Sequence, residues 1–180
     1  MRSDPEFSRP VRIDTLGAAP RELSIGANEA ERSALAKRFG LVGIERLSAE
    51  ASVKRSAGEV RAEGTLSASV VQSCVATGEP VPAELVEEFS IVFRPHPEGV
   101  TEEEEIELSE GELDVVFYDG GAVDLGEAVA ETLSLSLDPY PRTPDSEAAL
   151  REAGVKTEEQ HRAEMSPFAA LAGLKDKLGK

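Results

Sequence analysis

The chain has 180 residues, 40% of them hydrophobic, with six Phe, two Tyr, no Trp and a formal net charge of −16. This length and composition predict one globular domain with a core of Val, Leu and Ala, and no window has the roughly 18 apolar residues that a membrane-spanning helix needs. The negative charge disfavours direct, autonomous binding to RNA or DNA, because such binding needs clustered Lys and Arg.

The first residues, MRSDPEFSRP, contain two acidic residues and two prolines where a secretory signal would have an apolar stretch. They therefore resemble neither a signal peptide nor a transit peptide. The single cysteine, Cys74, excludes an internal disulfide and is typical of a reducing compartment. These features predict a cytoplasmic location without a membrane partner.

The first 40 residues predict two short strands followed by a helix. Residues 7–14 and 21–28 have short extended patterns. Asn28 and Glu31 have the spacing of a capping box, in which each residue hydrogen-bonds the backbone of the other. Gly40 lies where a glycine commonly ends a helix. The sequence therefore predicts a helix of about three turns between Asn28 and Gly40.

Alternation of apolar and polar residues dominates the middle of the chain. In residues 46–53, and again in residues 60–70, nearly every second residue is Leu, Ala or Val. A period of two in two runs joined by a short turn predicts an antiparallel hairpin. Residues 89–93 predict a third long strand and residues 112–121 a fourth. We therefore expect an antiparallel meander with one buried face.

Residues 124–135 predict the second main helix. Asp124 and Glu127 repeat the capping spacing seen before the first helix, while Pro139 and Pro141 prevent any continuation of the helix. Its apolar face carries Leu125, Val129 and Leu133. The predicted fold class is α+β: an antiparallel β-meander, with a barrel-like closure as an option, packed against the two main helices.

The chain after residue 145 is predicted to lie outside this single α+β domain, which spans residues 1–145. Residues 146–165 are a polar, partly helical linker, and residues 166–180 (SPFAALAGLKDKLGK) predict a short amphipathic helix. Ser166 suits the N-cap and Pro167 the first helical position. Its apolar stripe consists of Phe168, Leu171, Leu174 and Leu178. A helix this short is marginal alone in water, so it packs either on its own domain or on a partner, and the sequence leaves both open.

No arrangement in the sequence indicates a catalytic or metal site. Cys74, His96 and His161 lie far apart, and none has a second soft ligand at metal-binding spacing. Residues 119–121 (DGG) lack the framework of a phosphate-binding loop. We therefore predict no catalytic residue, no metal and no cofactor. The acidic run at residues 102–105 is either a solvated loop or a docking surface for a basic protein.

Three stretches of the sequence carry a resemblance to a known family. Residues 70–81 (VVQSCVATGEPV) contain a cysteine-bearing turn before a proline and a strand. Residues 122–141 (AVDLGEAVAETLSLSLDPYP) begin with an acidic residue and Leu and run through leucines into prolines, and residues 166–175 (SPFAALAGLK) complete the series. Together they resemble the YceD family, named for accumulation of the large-subunit ribosomal RNA. Many relatives have CxxC at the turn, which resembles a zinc site, but here Thr77 replaces the second cysteine, so zinc is not expected.

The resemblance implies a cytoplasmic protein that supports 23S rRNA synthesis or processing and formation of the large ribosomal subunit. We predict a non-enzymatic assembly factor whose partner is a ribosomal protein, another assembly factor or a pre-ribosomal particle. The alternatives are an interaction module unconnected with the ribosome and an RNA-processing enzyme. The candidate partner contacts are Asp124, Leu125, Glu131, Pro139, Pro141, Pro167, Phe168, Leu171 and Leu174.

Overall fold

The computed structural model describes residues 5–96, 115–156 and 161–162. Its strands are β1 (Pro10–Arg12), β2 (Arg21–Gly26), β3 (Gly43–Ser56), β4 (Glu59–Ser73), β5 (Pro80–Pro95), β6 (Val115–Tyr118) and β7 (Ala122–Asp124). Its helices are α1 (Glu29–Phe39), α2 (Leu125–Ser136) and α3 (Ser146–Glu152), and a short 3-10 turn covers Ile13–Thr15. This mixed content confirms the predicted α+β class. Within the described residues, no helix is both long and apolar enough to cross a membrane.

The main sheet has five strands in the order β2-β3-β4-β5-β6, while β1 and β7 pair antiparallel in a separate two-stranded sheet. Strands β3 to β5 form an antiparallel meander as predicted, and β2 extends it by pairing antiparallel with β3. Strands β2 and β6 are the two ends of the sheet in the described part of the chain, and they do not pair to close a barrel.

Strand β6 departs from the predicted antiparallel order because it runs parallel to β5, with Val92 opposite Val115. Antiparallel neighbours are joined by a short turn, whereas a parallel neighbour requires the chain to return to the same end of the sheet. Residues 96–114 connect the two strands and are long enough for that return. Side chains alternate between the two faces of a sheet in parallel and antiparallel strands alike, so the pattern of apolar residues could not reveal the direction of β6.

The hydrophobic core lies between the inner face of the sheet and the helices, with α1 packed on β3 and α2 on β4 and β5. The alternating residues predicted to point inward are all buried. On β3 and β4 they are Leu47, Ala49, Ala51, Val53, Val60, Ala62, Leu66, Ala68 and Val70, each at most 2% exposed. The helices contribute Leu35 from α1 and Leu125, Val129 and Leu133 from α2.

Both main helices begin at the predicted caps. Asn28 Oδ1 accepts the N–H of Glu31 at 3.0 Å, and the Asn28 N–H donates to the Glu31 carboxylate at 2.8 Å, so the capping box is complete. Helix α1 ends at Gly40, whose φ is 67°. Asp124 caps α2, but Glu127 does not complete a second box. Its carboxylate instead accepts a hydrogen bond from Arg38 at 2.8 Å, which connects α1 to α2.

Gly64 on β4 lies where the backbones of the sheet approach most closely. A Cβ at this position would overlap the carbonyl oxygen of Glu50 and lie 2.9 Å from Ala51 Cα. Backbone atoms cannot move aside without disturbing the β3–β4 pairing. Gly43, also in a strand, has no atom within 4 Å of the corresponding position.

We expect Gly64→Ala to lower the free energy of unfolding by about 1–3 kcal/mol, the usual cost of overfilling a packed site. Gly43→Ala is the matched control and should change it by less than about 0.5 kcal/mol. Urea denaturation of both variants measures the difference. Equal effects of the two substitutions would show that β4 tolerates a side chain at position 64.

Candidate functional site

Two of the three stretches that carry the family resemblance meet in the structure. The segment after α2 runs along the turn between β4 and β5, and we call the two segments, residues 72–75 and 137–143, the junction. Four hydrogen bonds connect them: Gln72 Nε2 to the Asp138 carbonyl (2.8 Å), Val75 N–H to the Pro141 carbonyl (2.9 Å), and the Thr143 N–H (3.4 Å) and Oγ1 (3.7 Å) to Cys74 Sγ. The junction thus holds the end of α2 against the β4–β5 turn.

Cys74 lies at the centre of the junction as a free thiol and is 3% exposed. Hydrogen bonds from the Thr77 side chain and then from the Thr143 N–H lower the pKa of this thiol to about 6, against the opposing effect of burial. Thr143 was not predicted, because it is 69 residues away in sequence and no local pattern connects it to Cys74.

The surroundings of Cys74 do not fit a zinc ion. Zinc in proteins is held by thiolate, imidazole or carboxylate ligands, and four are usual in a structural site. Here Thr77 and Thr143 surround the single thiol with hydroxyl and amide groups. No group of three or more His, Cys, Asp or Glu residues in the described ranges could hold a metal ion.

An exposed groove lies beside the junction, between the C-terminal ends of α1 and α2, with a volume of about 510 Å³. We call it the apolar groove. Leu135 and Val75 line it and are 85% and 54% exposed, and the neighbouring Tyr140 is 71% exposed. Its other apolar lining residues are Phe39, Leu41, Leu137, Pro139 and Pro141. Adjoining exposed apolar side chains of this size are typical of binding surfaces.

Asp124 and Leu125, two of the predicted contacts, have structural roles. The Asp124 carboxylate accepts hydrogen bonds from Ser8 Oγ (2.5 Å) and from the backbone N–H groups of Arg9 (2.7 Å), Gly126 (3.0 Å) and Glu127 (3.2 Å). It therefore caps α2 and fixes the segment before β1 against it. Leu125 is 1% exposed and belongs to the core.

The remaining predicted contacts differ in their positions. Glu131 and Pro139 are exposed, and Pro141 is buried at the junction, where its carbonyl accepts the Val75 N–H. Four predicted contacts lie outside the described residues: Pro167, Phe168, Leu171 and Leu174. The acidic run at residues 102–105 also lies outside them. The exposure of Leu135 was not predicted.

The family comparison covers most of this region. A family model described as Large ribosomal RNA subunit accumulation protein YceD matches residues 62–175, which is more than half of the chain. The chain belongs to the YceD family. This confirms the resemblance, since the matched range contains all three stretches that carry it, and it associates the chain with accumulation of the large-subunit ribosomal RNA. Searches of curated proteins and of solved structures found no match.

Replacing Asp124 tests its structural role. Asp124→Ala removes an N-cap and leaves the Ser8 and Arg9 donors without their partner, so we expect a loss of about 2 kcal/mol in the free energy of unfolding. Asp124→Asn keeps a capping oxygen and should lose less than half as much. Thermal and urea denaturation provide the measurement. If both variants were as stable as the native protein, Asp124 would be available for a role outside the fold.

The Cys74 thiol should give a pH dependence of stability that Cys74→Ser removes. Because its pKa in the folded protein, about 6, lies below the value of about 8.5 usual for an unfolded cysteine, folding favours the thiolate. This stabilisation is fully present above pH about 8.5 and is lost as the pH falls through about 6. Native protein and Cys74→Ser should therefore differ more in unfolding free energy at pH 8.5 than at pH 5.5.

The absorbance of the thiolate at 240 nm provides an independent readout of the same ionisation. The native protein should show a transition near pH 6 that Cys74→Ser lacks. Thr77→Val, which removes the hydroxyl hydrogen bond, should move that transition toward the ordinary range. A transition that stays above pH 8 in the native protein would contradict the proposed hydrogen bonding of Cys74.

Proposed function

We propose that this YceD-family protein supports 23S rRNA accumulation as a non-enzymatic assembly factor in the cytoplasm, acting through contacts with a ribosomal protein, another assembly factor or a pre-ribosomal particle. The observation that supports this most is the convergence of two family stretches on one exposed apolar groove. The stretches are 41 residues apart along the chain, yet the junction places them side by side.

The chemistry of the apolar groove suits binding better than catalysis. Its exposed apolar side chains are Leu135, Val75 and Pro139, with Tyr140 beside them, and these gain free energy when a partner covers them. Cys74, whose pKa is lowered to about 6, is buried under the junction, where its hydrogen bonds hold the two segments together. A structural role accounts for these contacts.

The charge of the protein favours a basic protein as the direct partner over bare RNA. The net charge is −16, and none of the described residues that line the apolar groove is Lys or Arg. Ribosomal proteins that bind RNA must carry basic surfaces, and an acidic partner raises their rate of encounter. The acidic run at residues 102–105 would add to this attraction.

Residues 166–180 supply a second proposed contact. Their apolar stripe, with Pro167 at its start and Phe168, Leu171 and Leu174 along it, has the spacing with which amphipathic helices dock into a groove of a partner. Glu131 and Pro139, exposed on and after α2, would extend the contact surface of the domain.

The test is the ratio of 23S to 16S rRNA in cells that lack the gene. We expect the ratio to fall and the native chain to restore it. Val75→Ser combined with Leu135→Ser, which makes the apolar groove polar, should fail to restore it, as should Phe168→Ala combined with Leu171→Ala. The matched control is Val86→Ser, which changes a 68% exposed valine on β5 that does not line the groove and should complement fully.

Two outcomes would contradict the proposal. An unchanged 23S to 16S ratio in cells without the gene would remove the role in large-subunit RNA accumulation. A fallen ratio with no co-sedimentation of the protein with pre-ribosomal particles would favour an interaction module that acts away from the ribosome. Circular dichroism of each variant confirms that loss of complementation does not come from unfolding.

A further inference from the structure

A groove of about 570 Å³ lies where β3 approaches its end and the chain turns from β6 into β7. We call it the arginine groove, because Arg12 and Arg55 line it. Asp14, Tyr118 and the glycines of the turn, Gly120 and Gly121, also line it. Two arginines against one aspartate make this groove locally positive, although the net charge of the protein is −16.

Backbone hydrogen bonds fix both walls of the arginine groove. On one side, the Ile13 N–H donates to the Gly121 carbonyl at 3.0 Å, which holds the β6–β7 turn against the end of β1. On the other side, the Arg55 N–H donates to the Gly17 carbonyl at 2.8 Å, which holds the end of β3 in place. Residues 13–17 therefore connect the two walls, and the groove is formed before any ligand binds.

The guanidinium of Arg55 forms no hydrogen bond or ion pair with any residue in the described part of the chain. Arg9 and Arg38 differ, since each joins separate elements through ion pairs. The hydroxyl of half-buried Tyr118 also has no partner among the described residues. The groove thus offers hydrogen-bond donors that the fold itself does not use.

Arg12, the second arginine of the groove, is paired with Asp14. Its Nε donates to the Asp14 carboxylate at 3.0 Å, and the two side chains are 73% and 59% exposed. Exposed pairs of this kind contribute little to stability. The hydrogen bonds from Arg12 lower the pKa of Asp14, so the carboxylate is ionised at neutral pH and offsets part of the positive charge. Asp14 therefore limits the affinity of the groove for an anion.

Two other grooves are less suited to an anion. Arg32 and Lys37 line the groove beside α1, but Arg32 Nη1 already donates to the Ala27 carbonyl at 2.7 Å, and Glu29 lines the same groove. The described residues that line the apolar groove include Asp138 and no Lys or Arg. The arginine groove is the one of these three with an unpaired guanidinium.

The donors of the arginine groove suit a phosphate group better than a carboxylate. One guanidinium is enough to occupy both oxygens of a carboxylate, whereas a phosphate has further oxygens that accept from a second guanidinium and a hydroxyl. No atom lies within 4 Å of the position that a Cβ would take at Gly120 or Gly121, so a ligand has room to approach this backbone closely.

We infer that the arginine groove binds a phosphate group, with the Arg55 guanidinium as its main donor and with Arg12 and the Tyr118 hydroxyl as the others. The phosphate belongs to an RNA backbone or to a free nucleotide, and the recognition chemistry is the same for both. This goes beyond the proposed function, which uses the apolar groove. The two sites lie at opposite ends of the sheet, because Arg55 is opposite Val60 and the junction begins at Gln72, about 40 Å further along β4.

The test is a titration of the full ¹⁵N-labelled chain with inorganic phosphate, followed by NMR of the backbone amides. Sodium chloride at equal ionic strength and pH is the reference. We expect saturable shifts at Arg55, Gly120 and Gly121 with phosphate and none with chloride. Shifts that do not saturate, or saturable shifts confined to residues of the other grooves, would overturn the inference.

Substitutions in the groove should change the affinity in opposite directions. Arg55→Ala should weaken phosphate binding about tenfold, because it removes hydrogen bonds to a charged ligand. Asp14→Asn should strengthen it about threefold, because the opposing charge is lost. Arg151→Ala, an equally exposed change on α3, is the matched control and should leave it unchanged. Native affinity in a folded Arg55→Ala variant, checked by circular dichroism, would contradict the assignment.

Three further probes identify what carries the phosphate: uridine monophosphate, a single-stranded RNA oligonucleotide and a tetraglutamate peptide. Binding of the RNA at least tenfold more tightly than the nucleotide would assign the site to an RNA backbone, and equal affinities would assign it to a free nucleotide. Binding of tetraglutamate as tightly as either would overturn the choice of phosphate.

These measurements on purified protein are independent of the rRNA ratio in cells. A protein that binds phosphate in the arginine groove but does not affect the 23S to 16S ratio would keep this site and lose the proposed function. A protein that restores the ratio but does not bind phosphate would show the reverse.

Discussion

The carboxylate of Asp124 is the interaction on which the arrangement of the described domain depends. Asp124 is the last residue of β7, and its side chain caps α2. The carboxylate also accepts hydrogen bonds from Ser8 Oγ and from the backbone N–H of Arg9, so the small β1–β7 sheet and helix α2 are fixed to each other at one point. Gly126 allows this approach, because a Cβ there would overlap the Phe7 carbonyl oxygen. With the start of α2 fixed, the direction of the helix determines where its exposed C-terminal turn lies.

Some residues of helix α2 lie in the core and others lie on the surface. Leu125, Val129 and Leu133 bury one face against β4 and β5, and this requirement sets the rotation of the helix. Leu135 then points away from the core and lines the apolar groove. An 85% exposed leucine gains little from folding alone, so under the proposed function a partner would gain free energy by covering it.

Local signals account for what the sequence could predict. The starts of α1 and α2 could be predicted because the side chains of Asn28 and Asp124 accept hydrogen bonds from backbone N–H groups within the next three residues. Alternation predicted the β3–β4 hairpin because register follows from which side chains are apolar. The parallel direction of β6, the β1–β7 pairing and the Thr143–Cys74 contact depend on residues far apart in sequence, and no local pattern encodes them. The apolar groove was missed for the same reason: its parts come from α1, β4 and the segment after α2.

The junction shows how segments far apart in sequence are held together around one buried thiol. The β4–β5 turn and the segment beyond α2 are connected because Cys74 Sγ accepts hydrogen bonds from the Thr77 side chain and from the Thr143 N–H. The bonds from Gln72 to Asp138 and from Val75 to Pro141 add backbone acceptors that need no particular side chain at the acceptor position. Several hydrogen bonds of modest strength thus act together, and they keep the end of α2, with its exposed Leu135, in a defined position.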